Sequence, residues 1–201
     1  MQKTDIFLTG VGGQGSLTAS RLLGEAALAA GLNVVVGEIH GMAQRGGVVE
    51  SSVRIGDVHG AMISDGSADV LLGFEPVETA RALAKAGPNT LVISNTRPVV
   101  PFSVSLKSGR YPPLDELLAA MRAVTKQVVA LDAAAMAQQA GSGRAVNSVM
   151  LGVLAGTGRL PFPSTLLLEV ILKAVPGKQA EANRRAYAAG EELGRRATAG
   201  F

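Results

Sequence analysis

Asp5-Ile6-Phe7-Leu8-Thr9 runs into Gly10-Val11-Gly12-Gly13-Gln14-Gly15, and Ser16 to Ala30 follows without a break. A short apolar run, a glycine-rich turn and an amphipathic stretch predict strand, turn and helix. Gly10, Gly12 and Gly15 fit G-x-G-x-x-G. Glycines at such a turn allow positive φ and close backbone approach. The helix that follows offers free N–H groups and the positive end of its dipole to an anion. A tight turn that only packs helix on sheet gives the same spacing, so the motif alone leaves both readings open. Val34-Val35-Val36 closes the unit. A second glycine-rich segment comes next, Glu38-Ile39-His40-Gly41-Met42-Ala43-Gln44-Arg45-Gly46-Gly47. There Arg45 has the planar fork that holds a carboxylate or phosphate through two parallel hydrogen bonds. A solvated arginine in a turn is the plain alternative.

The composition narrows the class. Two hundred and one residues make one domain. We expect an α/β core over residues 1–145 and helices over residues 146–201. Apolar residues are 47% and charged residues 17%, ample for a core and low for a wholly exposed surface, which points to a partner covering part of it. Aromatics are 3%, so the core is aliphatic and few rings exist to stack on bases. With a net charge of only +3 and no long basic run, nucleic acid is not an expected partner. The chain has no cysteine, which excludes disulfides and cysteine-ligated zinc or iron–sulfur centres within it. No signal-peptide pattern precedes Asp5, and no apolar run is long enough to span a bilayer. The expectation is a cytoplasmic protein with no membrane partner.

Further strands are expected at Val48–Ile55, Asp69–Phe74, Thr90–Ser94 and Gln127–Leu131, with an edge strand at Val99–Leu106. Helices are expected from Glu75 to about Ala86, at Leu114–Thr125, and at Asp132–Ala140 with Asp132 as N-cap. The rhythm predicts a mostly parallel sheet flanked by helices, Rossmann-like, with a helical C-terminal part. There, Asn147–Ala155 is apolar nearly all round, with Gly152 and Gly156 spaced for close backbone packing. Ser164–Val175 is broadly apolar, with Glu169 and Lys173 an i,i+4 pair. Lys178–Ala197 reads as a surface helix with a narrow small-residue face and pairs Glu181–Arg185, Glu191–Arg195 and Glu192–Arg196.

His40, at a strand end, is a candidate acid/base or donor, whereas His59 beside a turn reads as solvated. Glu38 lies 23 residues after Gly15, where an acidic residue binds ribose in nicotinamide-binding units. Asp65-Gly66 with Asn95, 29 residues on, is a faint match to a thiamine-diphosphate metal motif, with Ser64 where glycine is expected. A turn followed by a strand is the plainer reading, and no metal site is expected. No Ser-His-Asp arrangement can be nominated.

GVGGQGSLTASRLLGEAALAAG followed by EIHGMAQRGGVVESSVRIG resembles the smaller subunits of 2-oxoacid:acceptor oxidoreductases, the gamma-domain family. DVLLGFEPVETARAL and AVNSVMLGVLAG are similar too, so the resemblance spans most of the chain. HGMAQRGG resembles the indolepyruvate, or arylpyruvate, branch most specifically. The resemblance implies a non-autonomous subunit, inactive alone, that binds no cofactor itself. It implies a large partner carrying thiamine diphosphate, magnesium and 4Fe-4S clusters. That assembly decarboxylates the 2-oxoacid oxidatively, passes electrons to ferredoxin and forms an acyl-CoA from coenzyme A. Gly10, Gly12, Gly13, Gln14 and Gly15 match the first family motif. His40, Gly41, Gln44, Arg45, Gly46 and Gly47 match the second. It further implies that both loops lie near the shared active-site cleft, the first beside an anionic group such as that of coenzyme A. Arg45 would orient the loop or a carboxylate, and Asn147 and Ser148 would face the same cleft. Two alternatives stay open: a free-standing nucleotide- or NAD-binding protein using Gly10–Gly15 and Glu38, and an assembly subunit with empty loops. Apolar faces meant for a large partner would also drive a homodimer when the chain is alone.

Overall fold

The computed structural model describes residues 3–40, 46–99, 110–175 and 177–199. Six strands form one sheet: β1 (Thr4–Val11), β2 (Val34–His40), β3 (Val48–Ile55), β4 (Ala68–Gly73), β5 (Ala86–Asn95) and β6 (Val128–Leu131), in the order β2-β3-β1-β4-β5-β6. β1, β4, β5 and β6 pair in parallel, and β3 runs antiparallel to both β1 and β2. The sheet is therefore mixed and mostly parallel. The glycine loop leaves the C-terminal end of β1, at the centre of the sheet, where such folds gather their sites.

The helices divide between two faces. Leu22, Leu23 and Ala26 of α1 (Ser16–Ala29) pack with Ile6, Leu8, Val53, Leu72 and Ile93 of the strands in the larger core. The same core includes α4 (Ala133–Gln139), α5 (Val146–Gly156), α6 (Ser164–Ala174) and α7 (Gly177–Thr198). The opposite face holds a smaller cluster, Phe7, Leu71, Val92 and Met121, beneath α2 (Pro76–Arg81) and α3 (Leu114–Val124). Alternate residues of each strand feed the two faces, as the pleat requires.

α2 has Pro76 at its start, and its N-cap Glu75 accepts a hydrogen bond from the Glu78 amide at 2.9 Å. The expected helix to Ala86 instead tightens at Ala82–Lys85 into a 3₁₀ turn. β5 claims Ala86 at once and extends beyond the expected Thr90–Ser94 in both directions. Asp132 caps α4 as expected, accepting from the Ala135 amide at 2.9 Å. The expected edge strand at Val99–Leu106 falls almost wholly outside the described residues.

The small-residue face of α7 is an interface and not merely surface. A methyl group at Gly152 would overlap the Tyr187 carbonyl, and one at Gly156 the Glu191 carbonyl. Gly190 and Gly194 stand in the same relation to Val149 and Val153. Glycine on both helices lets α5 and α7 pack backbone to backbone. Tyr187 anchors the contact, buried, with its hydroxyl donating to the Ser164 carbonyl at 2.8 Å. On the exposed side, Glu181 pairs with Arg185 at 4.0 Å and Glu192 with Arg196 at 2.6 Å. Arg195 turns to Glu192 rather than to the expected Glu191. Glu169–Lys173 makes no ion pair among the described residues. No helix among them is long and apolar enough to cross a membrane.

Candidate functional site

The first loop holds its shape through its own glutamine. Gln14 Oε1 accepts from the Val11 amide at 2.8 Å, and Nε2 donates to the Phe74 carbonyl at 3.0 Å. Gly13 and Gly15 take φ of +102° and +87°, which L side chains rarely adopt. Asn95 Nδ2 donates to the same Phe74 carbonyl at 3.0 Å, and its Oδ1 accepts from the Ala133 amide at 3.0 Å. Gln14 and Asn95 thus knit the C-terminal ends of β1, β4 and β5 to the start of α4.

The last third of the chain closes onto this loop. Asn147, at the start of α5, donates from Nδ2 to the Gly15 carbonyl at 3.0 Å. A side chain on Gly15 would collide with it. Its Oδ1 is buried without a hydrogen-bond partner. The two glycine segments also meet. The Gly12 amide donates to the Gly47 carbonyl at 2.8 Å, and the Gly46 amide to the Gly12 carbonyl at 3.3 Å.

A cleft of about 470 Å³ opens here, lined by Gly13, Gln14, Gly15, Asn95, Arg97, Ala134, Gly143, Arg144, Val146 and Asn147. Among the described residues its charged lining is Arg97 and Arg144, and Gly15, the N-cap of α1, also lines it. Asp132 lies 4.0 Å from Arg97 and tempers that charge. Two guanidinium groups, a helix N-terminus and no carboxylate among the described lining residues suit an anion.

The structure sorts the expected residues. Gly12, Gly13, Gln14, Gly15, Gly46, Gly47 and Asn147 come together. Gly10 sits beneath, where a side chain would press on Phe74 and Gln14. His40 ends β2 opposite Val49. Gly41, Gln44 and Arg45 lie outside the described residues. Ser148 faces away: its hydroxyl is buried and donates to Asn183 Oδ1 of α7 at 2.6 Å, because one helical step turns it from the cleft into the α5–α7 contact. Glu38 does not sit where the NAD reading needs it. β3 separates β2 from β1, so Glu38 stands two strands from the loop, roughly 10 Å across the sheet. Asp65 precedes β4 and binds Lys85, whereas Asn95 ends β5, so the sheet's length separates the two halves of the faint metal motif. No group of three metal-ligating side chains occurs among the described residues. His59 is exposed, 3.5 Å from Asp57. Sequence reading missed Arg97, Arg144 and the bracing role of Asn95. The one signal for Arg144 is its place between the Gly141–Gly143 break and the start of a buried helix.

Comparison with known proteins adds the lineage. Residues 5–193 match the family described as pyruvate ferredoxin/flavodoxin oxidoreductase. Indolepyruvate oxidoreductase subunit IorB of Archaeoglobus fulgidus is 44% identical over 188 residues, 94% of either chain. The protein of the same name from Methanothermobacter thermautotrophicus is 42% identical over 91% of this chain and 93% of its own. The gamma subunit of a keto/oxoacid ferredoxin oxidoreductase from Geobacter sulfurreducens superposes with a TM-score of 0.70 at 23% identity, covering 96% of this chain and 99% of that one. 2-Oxoglutarate:ferredoxin oxidoreductase from Magnetococcus marinus superposes at 0.72 and 20% identity over 98% of this chain, which spans 32% of that longer polypeptide. The fold, the paired glycine loops and these near full-length relatives agree: the chain belongs to the pyruvate ferredoxin/flavodoxin oxidoreductase family.

Proposed function

We propose that this chain is the smaller subunit of an indolepyruvate-type 2-oxoacid:ferredoxin oxidoreductase, one gamma-type domain over residues 1–201 that works only with a larger subunit. The supporting observation is the cationic cleft where the first glycine loop, the end of β5 and the start of α5 converge. In the complete enzyme a 2-oxoacid loses carbon dioxide, two electrons pass to ferredoxin, and the acyl group forms a thioester with coenzyme A. Thiamine diphosphate with magnesium supplies the acyl-anion chemistry, and 4Fe-4S clusters carry the electrons, in the partner subunit. This chain's own part is to hold the anionic, phosphate-bearing end of coenzyme A. The α1 N-terminus, Arg97 and Arg144 attract it, and Asn147 holds the loop by donating to the Gly15 carbonyl. Arg45 of the second loop orients that loop or a carboxylate, and an Arg45→Ala enzyme that assembles and turns over normally overturns its part.

The test is steady-state kinetics of the purified two-subunit enzyme. Arg144→Ala and Arg97→Ala should each raise KM for coenzyme A roughly tenfold, about 1.4 kcal/mol, and leave KM for indolepyruvate unchanged. Unchanged coenzyme A kinetics in both variants would remove the cleft from the reaction. Alone, the chain should form a homodimer through exposed apolar residues such as Leu28 and Ile39, and a monomeric mass by light scattering at high concentration would contradict this.

A further inference from the structure

Across the C-terminal end of the sheet, on the α2 face, one row of residues reads Ile39, Glu50, Thr9, Gly73, Ser94. Ser94 and Thr79 satisfy one another at 3.1 Å over the space that Gly73 leaves. The other half of the row is not satisfied. Thr9 Oγ1 is fully buried with no hydrogen-bond partner, and so is Glu78 Oε2 in the α2 helix above. Glu78 Oε1 accepts from Arg81 at 2.8 Å. Glu75, beside it, is fully engaged by the Glu78 amide, the Val99 amide and the Tyr111 hydroxyl. Glu50 makes no ion pair among the described residues. Burial first, and then the nearby Glu75 and Glu50 against the opposing pull of Arg81, push the Glu78 carboxyl above its usual value. Glu50 is thus the cross-strand neighbour of the orphaned Thr9 hydroxyl, and Glu78 keeps one oxygen unpartnered while the other is held by Arg81.

Glu50 opens into a groove of about 260 Å³ on the same face, with Phe7, Ile39 and Met62 among its walls. Ile39 and Met62 are 57% and 69% exposed. Lys85 also lines the groove, but its ammonium is held by Asp65 at 2.7 Å and the Ile63 carbonyl at 3.1 Å. The walls combine these apolar side chains with two carboxylates, Glu38 and Glu50. A side chain with an aliphatic stem and a cationic head is the complement of that pattern.

We propose that this groove receives a lysine or arginine of the larger partner subunit. Its stem lies on Phe7 and Ile39, and its cation meets Glu50, backed by Glu78 and Thr9. The proposal rests on the subunit reading and is separate from the coenzyme A cleft. Association of the co-expressed subunits should be measured at several salt concentrations with Glu50→Gln, Glu78→Gln and Ile39→Ser in the full chain. Glu50→Gln should weaken pairing at least about tenfold and flatten its salt dependence. Glu78→Gln should weaken pairing less while leaving the melting of the free chain unchanged, a combination that a purely structural carboxylate does not give. Ile39→Ser should weaken pairing without altering the salt slope. Pairing within about twofold of wild type for all three overturns the proposal while the subunit reading stands. So does a Glu50→Gln chain that pairs normally but no longer self-associates, since the groove then belongs to a second copy. A wild-type chain that pairs with no larger subunit overturns the subunit reading itself.

Discussion

Glycine serves opposite ends in two parts of this molecule. In the first loop Gly13 and Gly15 turn through positive φ, and nothing lies near the missing side chain of Gly13. In the α5–α7 contact Gly152, Gly156, Gly190 and Gly194 are helical, and each missing side chain is filled by the backbone of the facing helix. Gly13 leaves its side open, and Gly15 makes room for Asn147. The helix glycines remove space within it. The same residue thus shapes a turn in one place and a packed interior in the other, and only what surrounds it tells which.

Substitution should separate the two. The largest effect is expected at Gly152→Ala, where the added methyl overlaps the Tyr187 carbonyl and the helices must move apart. We expect a loss of about 3 kcal/mol, set against the roughly 1 kcal/mol that alanine gains in helix propensity, measured by denaturant unfolding. Gly15→Ala should cost about 2 kcal/mol, from left-handed strain plus displacement of Asn147, and should impair coenzyme A kinetics of the complex as well. Gly13→Ala should cost only about 1 kcal/mol, because strain is its sole penalty. A Gly13→Ala loss as large as that of Gly152→Ala would erase the distinction.

The smallest effects concern charge, at the opposite pole of β1. Burial alone would push the Asp5 carboxyl up, but hydrogen bonds from Arg54 at 2.8 and 3.1 Å and from Lys3 at 2.9 Å hold it below the usual 3.8. Its contribution is therefore present above 3.8 and lost as pH falls through the lower folded value. Glu78 behaves oppositely. Its folded value lies above the usual 4.5, so its penalty appears as pH rises from 4.5 through that raised value. Acid unfolding should lose part of its pH dependence in Asp5→Asn, whereas Glu78→Gln should leave the neutral-pH stability unchanged or slightly higher.

Much of the fold was legible because apolar runs and glycine punctuation are local signals. DVLLGF and TLVIS could be read as buried strands without knowing their neighbours. The antiparallel placement of β3 between β2 and β1 could not, since strand order depends on long-range pairing. That order is what removes Glu38 from the NAD reading. Within the site, the glycines of the first loop were visible from their spacing. Arg97, Arg144 and Asn95 were not, because they converge from two distant segments, the end of β5 and the turn before α5, and carry no shared period. Ser148 shows the limit in the other direction: adjacent to Asn147 in sequence, it points into a different layer.

The bond from Asn147 to Gly15 ties together residues 132 positions apart. Chains are made from the N-terminus, so the glycine loop exists long before the residue that braces it. Until α5 is made and docked, that loop has lost its brace and Arg144 is missing from the cleft. A chain that stops short of residue 147 thus carries the first glycine motif in its sequence but not the braced loop.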